Sequence, residues 1–257
     1  MFVNKNITAS IVIYRENFKV LEKAMGSFLD STLSKKLYII DNSPSNEFKN
    51  KIQNDSVEYI YSNKNIGFGK GHNSILHKLT SKNKYHLILN PDVSFHPEIL
   101  EKLVLKMESS ESLSMIAPRV LNTNNKLLYT ARRYPNLFEL IFRFLGIFKK
   151  FTSTGEYKNQ NHKKSFSPDF VQGSFMLFKT DDLLQLNGFD NRFFMYMEDV
   201  DICRRIDQLG KKKLFYPKVE IIHTHRKDSS KSIKLFIIHI SSIIKYFMKW
   251  GFNKALN

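Results

Sequence analysis

NITASIVIY, residues 6–14, is a β-branched apolar run without helical periodicity, which is typical of a strand buried on both faces. Residues 18–29 then place their apolar side chains at helical spacing, and KLYII at residues 36–40 forms a second apolar run that stops at Asp41. Strand, helix and strand in this order predict the start of a parallel α/β sheet.

Polar residues end two of the predicted strands. Residues 57–61 and 85–93 predict two further strands, and the second ends in Asn90-Pro91-Asp92. Ligands of open α/β sheets bind outside the carboxyl ends of the strands. We therefore expect Asp41 to hydrogen-bond a base or a ribose, and Asp92 to bind a divalent cation that holds a diphosphate. Asp41 also begins Asp-Asn-Ser-Pro, which is strong turn chemistry, and the two interpretations are compatible.

A glycine-rich segment precedes a helix that we predict at residues 74–79. Gly67, Gly69 and Gly71 fall within five residues. Glycine lets backbone N–H groups approach an anionic ligand at a helix N-terminus. Neither the Walker spacing nor the dinucleotide spacing is present, so the segment indicates anion binding without identifying the ligand.

Composition limits the class of protein. The chain has 257 residues, of which 42% are hydrophobic, enough for one large domain or two small ones. Its net charge of +16 attracts polyanions such as nucleic acid, anionic lipid or phosphorylated substrates, although an AT-rich genome also favours lysine. The single cysteine, Cys203, excludes an internal disulfide framework. With no signal-peptide pattern and no apolar run of roughly 18–20 residues, we expect a cytoplasmic location.

The second half contains an acidic cluster in FFMYMEDVDICRR, residues 193–205. Buried carboxylates are disfavoured unless another group pairs with them or chemistry uses them, so this cluster is a candidate for catalysis. Alternatively, Asp199 or Asp201 caps a helix predicted from Ile202. Before the cluster, residues 170–179 predict a core strand, and residues 130–164 predict a lid in which Arg132 or Arg133 reaches a diphosphate.

Seven short motifs resemble, in order, the family 2 glycosyltransferases, and most closely the rhamnosyltransferase-like members that build bacterial cell-surface polysaccharides. They are residues 39–42, 65–69, 89–92, 173–177, 188–190 and 193–201, and His223 with Ser229. The resemblance implies an α/β GT-A fold, Rossmann-like, with a mostly parallel central sheet flanked by helices. It also implies a nucleotide-sugar donor and a divalent metal, Mg²⁺ or Mn²⁺. Asn90-Pro91-Asp92 stands where many members carry Asp-x-Asp, which leaves Asp92 as the main carboxylate.

The resemblance also assigns roles. In the Glu-Asp motif the second acid usually takes the proton, so Asp199 is the expected base, and Glu198 orients the acceptor or substitutes for it. The expected donor-binding residues are Thr8, Asp41, Asn42, Gly67, Phe68, Gly69, Asn73, Asn90, Asp92 and Arg132. The expected acceptor-binding residues are Gly173, Phe175 and Glu198, and the expected metal ligands are Asp92 and His223, with His225 as a further candidate. Asp41, Asp92, Asp199 and His223 are expected to converge on a single cavity.

The chain ends in an apolar helical pattern with lysines, residues 232–250. We expect a GT-A domain over residues 1–230, with a nucleotide-binding half at about 1–120 and an acceptor and catalytic half at about 121–230, followed by an amphipathic helix within 231–257. This helix packs on the domain or on a second subunit, or it lies on an anionic membrane. A polyprenyl-diphosphate-linked acceptor would explain both the helix and the charge.

The sequence thus predicts an inverting enzyme that moves a sugar, most simply L-rhamnose from dTDP-rhamnose, to a lipid-linked saccharide. The expected setting is O-antigen or related polysaccharide assembly at the inner face of the cell membrane. A UDP-hexose or UDP-galactofuranose donor is the alternative within this class. A basic nucleic-acid-binding protein is the alternative from another class, but acids at the strand ends would repel a phosphate backbone. A non-catalytic sugar-binding protein is a third possibility.

Overall fold

The computed structural model describes residues 6–33, 35–137, 155–224 and 233–251. The strands in these ranges are β1 (Ile7–Ile13), β2 (Lys35–Asp41), β3 (Val57–Tyr61), β4 (Tyr85–Leu89), β5 (Val93–Ser94), β6 (Leu113–Leu121), β7 (Leu127–Leu128), β8 (Ala131–Arg132), β9 (Phe170–Val171), β10 (Phe175–Lys179) and β11 (Lys212–His223). The α-helices are α1 (Phe18–Leu29), α2 (Phe68–Asn73), α3 (Ile99–Glu108), α4 (Thr180–Gln185), α5 (Glu198–Gln208) and α6 (Ile233–Trp250), and a 3₁₀ turn spans Leu76–Lys78.

One nine-stranded sheet forms the centre of the described structure. Its order is β3-β2-β1-β4-β10-β6-β11-β5, with β7 paired to β6. The first four strands are parallel, as the sequence predicts, and β11 is parallel to β6. β10 runs antiparallel to both β4 and β6, so the sheet as a whole is mixed. β8 and β9 form a separate two-stranded sheet.

Buried side chains pack on both faces of this sheet. α1 and α3 cover one face through residues such as Leu21, Phe28 and Leu103. α4, α5 and α6 contribute to the cluster on the other face through residues such as Leu183 and Ile206. A sheet covered on both faces explains why its strands are continuous apolar runs.

Three elements differ from the sequence prediction. The helix expected at 74–79 is wrong, because α2 ends at Asn73 and the expected range contains only the 3₁₀ turn Leu76–Lys78. α2 lies instead in the glycine-rich segment and packs closely on β1, where a Cβ on Gly71 would fall 2.6 Å from Val12 Cγ2. The strand expected at 170–179 is divided, because β9 pairs with β8 while β10 enters the central sheet. The helix expected from Ile202 begins at Glu198, which places three acidic residues in its first turn.

α6 is a helix as predicted, and one side of it packs firmly on the protein. Ser242, Ile243, Tyr246 and Phe247 are buried. The Arg204 guanidinium lies 5.6 Å from the Tyr246 ring centre and 5.1 Å from the Trp250 ring. Such cation–π contacts add to the apolar packing.

Asp201 joins α5 to α6. Its buried carboxylate accepts hydrogen bonds from Arg205 Nε at 2.8 Å and Trp250 Nε1 at 2.9 Å, and it forms an ion pair with Lys249 at 2.6 Å. The expectation that Asp201 caps its helix is therefore wrong. Met197 occupies the N-cap position, and its side chain makes no capping hydrogen bond.

No helix among the described residues combines the length and the apolar character that crossing a bilayer requires. Residues 138–154 of the predicted lid, and Ser229 of the last motif, lie outside the described residues.

Candidate active site

The carboxyl ends of β1 and β2 border a cavity of about 440 Å³. Its lining includes Arg15, Asp41 and Phe48. Asp41 Oδ1 accepts the backbone N–H of Ser43 at 2.8 Å, and Oδ2 accepts the Tyr59 hydroxyl at 2.5 Å. Asp41 therefore shapes the turn and borders the cavity, as both interpretations of the sequence require. The volume is within the range of small-molecule sites.

The glycine-rich segment contacts the protein itself. Gly67 has φ +89°, and a Cβ there would lie 2.2 Å from the carbonyl oxygen of Phe194, which accepts the backbone N–H of Phe68 at 2.9 Å. A Cβ on Gly69 would lie 2.9 Å from Phe189 Cβ. These residues bring α2 against the segment that leads to the acidic cluster, and the expectation that Gly67, Phe68 and Gly69 bind the donor stays a prediction.

Two other side chains that were expected to bind the donor form hydrogen bonds to the backbone of the protein. Asn42 Nδ2 donates to the Gly67 carbonyl at 3.1 Å. Asn73 Nδ2 donates to the Phe189 carbonyl at 2.6 Å, and its Oδ1 accepts the Phe189 N–H at 2.8 Å. Asn42 thus holds the glycine-rich segment in place, and Asn73 holds the backbone at Phe189.

Thr8 and Phe175 lie away from the site. Thr8 is 1% exposed near the amino end of β1, opposite the carboxyl edge, and its hydroxyl lies 2.8 Å from His86 Nδ1. Phe175 is buried in β10, with its ring centre 5.4 Å from that of Phe95. Both residues have the contacts of packed core residues, and the roles expected of Thr8 at the donor and of Phe175 at the acceptor stay predictions.

Asp92 and His223 meet through strand pairing. β5, which follows Asp92, pairs with the end of β11, so that His223 is opposite Val93. As a result, Asp92 Oδ1 lies 3.1 Å from His223 Nε2. A carboxylate oxygen and an imidazole nitrogen are ligands that divalent metals accept. Among the described residues no group of three or more His, Cys, Asp or Glu side chains could hold a metal, and His225 lies outside them.

Asp199 is held by two backbone N–H groups at the start of α5. Its Oδ2 accepts from Gly173 at 3.2 Å and its Oδ1 accepts from Val200 at 2.8 Å. Burial raises the pKa of Asp199, while these hydrogen bonds and the charge of Arg132 act in the opposite direction. Gly173 thus contacts the acidic pair, at the position where the sequence predicts an acceptor-binding residue.

Glu198 is the more deeply buried acid. Within the described part of the chain its Oε2 has no hydrogen-bond partner. Burial, and next the negative charge of Asp199, raise the pKa of Glu198 well above its usual range. Burial therefore disfavours the ionised form of Glu198 more strongly than that of Asp199, whose carboxylate accepts two backbone hydrogen bonds.

The acidic pair borders a second cavity of about 290 Å³. Its lining is Arg132, Arg133, Pro135, Gly155, Phe170, Gln172, Tyr196, Met197, Glu198, Asp199, Val200 and His239. Arg132 pairs with Glu156 at 3.0 Å. Tyr196, Met197 and His239 were not among the predicted site residues, because the apolar pattern of their segments is equally typical of core packing.

Asp41, Asp92 and Asp199 border different cavities, which corrects the expectation of a single one. Asp92 lies in a third, of about 120 Å³, together with Lys19, Lys23 and Thr224. Backbone contacts nevertheless connect these regions. The Asn90 N–H donates to the Ser174 carbonyl at 2.9 Å, and the neighbouring Gly173 N–H donates to Asp199. The end of β4 and the acidic pair are therefore connected through the backbone of residues 173 and 174.

Solved structures of other proteins share this architecture and identify the fold. GalNAc-T7 with UDP, GalNAc and Mn²⁺ aligns with a TM-score of 0.65 over 86% of this chain and 43% of that chain, at 14% identity. The mannosyltransferase PcManGT from Pyrobaculum calidifontis, in complex with GDP-Man and Mn²⁺, aligns with a TM-score of 0.64 over 100% of this chain and 67% of that chain, at 12% identity. The fold is GT-A, the fold of nucleotide-sugar-dependent glycosyltransferases.

The family follows from sequence comparison. The model of Glycosyl transferase family 2 matches residues 8–186. Rhamnosyltransferase WbbL of Escherichia coli K12 is 30% identical over 197 residues, which are 71% of each chain. The chain belongs to glycosyl transferase family 2 and is a glycosyltransferase.

Two further relatives are aligned over a smaller share of their own lengths. The N-acetylglucosaminyl-diphospho-decaprenol L-rhamnosyltransferase of Mycobacterium tuberculosis is 25% identical over 68% of this chain and 61% of its own. The low-salt glycan biosynthesis hexosyltransferase Agl10 of Haloferax volcanii is 29% identical over 65% of this chain and 52% of its own. The family match ends before Asp199 and His223, so the roles of those residues depend on geometry.

Proposed function

We propose that the protein is an inverting rhamnosyltransferase that moves L-rhamnose from dTDP-rhamnose to a lipid-linked saccharide, in O-antigen or related surface polysaccharide assembly. The observation that carries the proposal is the Asp199 carboxylate, which two backbone N–H groups hold at the edge of a cavity. The named activities of the Escherichia coli and Mycobacterium tuberculosis relatives support rhamnose as the sugar and a lipid diphosphate saccharide as the acceptor.

Asp199 is the proposed base. Its carboxylate takes the proton of an acceptor hydroxyl as the oxygen attacks the anomeric carbon of the donor, on the face opposite the leaving nucleotide. The bond between that carbon and the diphosphate oxygen breaks, and the nucleoside diphosphate leaves with the bonding electrons. Protonated Glu198 can donate a hydrogen bond to the acceptor and orient it, because burial favours its neutral form.

The donor is proposed to lie along the strand ends. The cavity beside Asp41 would receive the base and ribose, and Asn90 and Asp92 would lie near the diphosphate. Asp92 and His223 would hold a divalent ion, Mg²⁺ or Mn²⁺, which neutralises diphosphate charge when it is bound. Arg132, which the sequence analysis assigns to the donor, borders the cavity of Asp199, and we propose that it adds positive charge on the acceptor side instead. We propose that residues at about 1–120 bind the nucleotide and that residues at about 121–230 bind the acceptor and carry out catalysis, with His223 of the second half joining Asp92 at the diphosphate.

A donor screen tests the proposal. A ligand that binds only the native state stabilises it by about 2.7 kcal/mol at a hundred times its Kd, so the midpoint of thermal unfolding should rise with dTDP-rhamnose and Mg²⁺. Transfer is then measured with N-acetylglucosaminyl diphosphate on a short alkyl chain, which stays in solution. Inorganic diphosphate with Mg²⁺ is the control. A larger shift and faster transfer with a UDP-hexose or UDP-galactofuranose would instead favour the alternative that the hexosyltransferase relative suggests.

The exposed face of α6 is proposed to lie on an anionic membrane, at the cytoplasmic side. Five apolar side chains on this helix are exposed: Ile233, Phe236, Ile237, Ile244 and Met248. Four of these side chains, Ile233, Ile237, Ile244 and Met248, are spaced by four, seven and four residues, so they form one stripe along the helix. Exposed Lys234 and Lys245 flank it, and the net charge of +16 adds long-range attraction to anionic lipid.

Charged substitutions in this stripe should release the protein from vesicles. Because each buried isoleucine contributes about 1.5–3 kcal/mol, Ile237→Glu combined with Ile244→Glu should lower the partition onto phosphatidylglycerol vesicles by about tenfold or more. Vesicle flotation at low and high salt provides the measurement. Leu105→Glu is the matched control, since Leu105 is also 60% exposed but lies on α3. Equal binding of the double variant and the wild type would contradict the membrane proposal.

A further inference from the structure

α6 also forms part of the wall of the cavity at Asp199. The His239 ring centre lies 4.6 Å from the Tyr196 ring centre, with an angle of 40° between the planes. Both residues line the cavity that Glu198 and Asp199 border. Arg132 and Arg133 line the same cavity, so an aromatic pair, two carboxyl groups and two guanidinium groups share one space of about 290 Å³.

The aromatic pair is held at two points. Ser242, which is buried one turn after His239, donates from its hydroxyl to the Met195 carbonyl at 2.8 Å, next to Tyr196. Lys245 Nζ donates to the Arg192 carbonyl at 3.0 Å. These two hydrogen bonds connect α6 to the backbone just before Tyr196. The His239 and Tyr196 rings therefore keep their relative position.

The backbone before Glu198 is strained. Tyr196 has φ +70° and Met197 has φ +68°, so two consecutive residues other than glycine adopt the left-handed region. Each such residue costs on the order of 1–3 kcal/mol and persists only where its surroundings fix it, often at a functional site. The hydrogen bond from Ser242 and the contact with His239 supply such surroundings. The protein therefore maintains an unfavourable conformation at the place where Tyr196 lines the cavity.

We infer that Tyr196 and His239 form the platform on which the acceptor sugar ring stacks, with the attacked hydroxyl toward Asp199. The inference rests on the proposed function and deepens it, because it names the residues that recognise the acceptor saccharide. Small-molecule sites combine apolar and aromatic walls with a few placed polar groups, and this cavity has that composition. Neither residue lies within residues 8–186, which the family model covers.

Kinetics of His239 variants test the platform. With the short-chain N-acetylglucosaminyl diphosphate acceptor, His239→Ala should raise the acceptor KM about fivefold to tenfold, as the loss of one aromatic contact predicts. The donor KM and kcat at saturating acceptor should stay within about twofold of the wild type on the same reasoning. His239→Phe, which retains a ring, should keep the acceptor KM near that of the wild type. Leu105→Ala is the control, since Leu105 is 60% exposed on α3 and outside the cavity lining.

Two kinetic results would overturn the inference once thermal unfolding shows that the variants are folded. One is an unchanged acceptor KM in His239→Ala. The other is a lower kcat at constant KM, which would mean that His239 only positions the acidic segment. Calorimetric binding of the acceptor separates this inference from the proposed reaction. If the wild type binds the acceptor without transferring sugar, weaker binding by His239→Ala still supports the platform while the proposed reaction fails.

Discussion

Replacing Asp199 by asparagine is expected to lower kcat about a thousandfold, within the range that general base catalysis contributes. Asparagine keeps the size of the side chain but cannot accept the proton of the acceptor hydroxyl. Donor affinity should stay near that of the wild type, because Asp199 borders a different cavity from Asp41. Single-turnover rates and nucleotide binding, measured on the same preparation, separate the two effects.

Glu198→Gln is the matched control for this substitution. Glutamine resembles the protonated carboxyl group that burial favours at Glu198, so its kcat should fall far less than that of the asparagine variant. The pH profile adds a second readout. Because burial raises the pKa of Asp199, wild-type kcat should decline on acidification at a higher pH than an exposed aspartate would give, and Asp199→Asn should lack that decline. Wild-type turnover by Asp199→Asn would exclude Asp199 as the base.

Removing the Asp201 carboxylate should cause the largest loss of stability. Asp201 is 0% exposed, and its partners are Arg205, Lys249 and Trp250. In Asp201→Ala these partners would lose their anion, and breaking a buried ion pair from one side costs about 3–5 kcal/mol. For a chain of this size, this corresponds to a decrease in Tm of about 6–20 °C.

Denaturant unfolding of the purified variants measures this effect. Glu22→Ala serves as the control, because Glu22 is an exposed carboxylate within α1 whose loss should change stability by less than about 0.5 kcal/mol. Asp201→Asn can still accept hydrogen bonds but has no charge, so its loss of unfolding free energy should lie between those of Asp201→Ala and Glu22→Ala. If Asp201→Ala lowers the free energy of unfolding by less than about 1 kcal/mol, the ion pairs of Asp201 contribute as little to holding α6 as exposed ion pairs do.

The local pattern of apolar residues in the sequence predicts much of the fold correctly. The helix Phe18–Leu29 and the strand Val57–Tyr61 have the ends that periodicity predicts. The parallel order of the first four strands also followed from the sequence, because buried apolar runs alternating with helical segments have few arrangements. The approach of His223 to Asp92 agrees with the expectation that both lie at strand ends.

Contacts between distant segments could not be predicted in the same way. The sequence indicates that something approaches Gly67 closely, but it does not tell whether a phosphate or the carbonyl of Phe194 does so. It shows Thr8 in the first strand without showing that its hydroxyl meets His86 at the end opposite the ligand edge. His239 belongs to an apolar helix whose pattern does not reveal which side meets a cavity. Each of these features depends on tertiary partners.

The backbone contact between Gly67 and Phe194 also affects how hybrid enzymes could be made. Because a Cβ on Gly67 has no room and the Phe68 N–H donates to the carbonyl of Phe194, a hybrid must keep glycine at position 67. Residue 194 contributes a backbone carbonyl to this contact, so recombination that exchanges only the last third of the chain can preserve the contact whichever residue it supplies there.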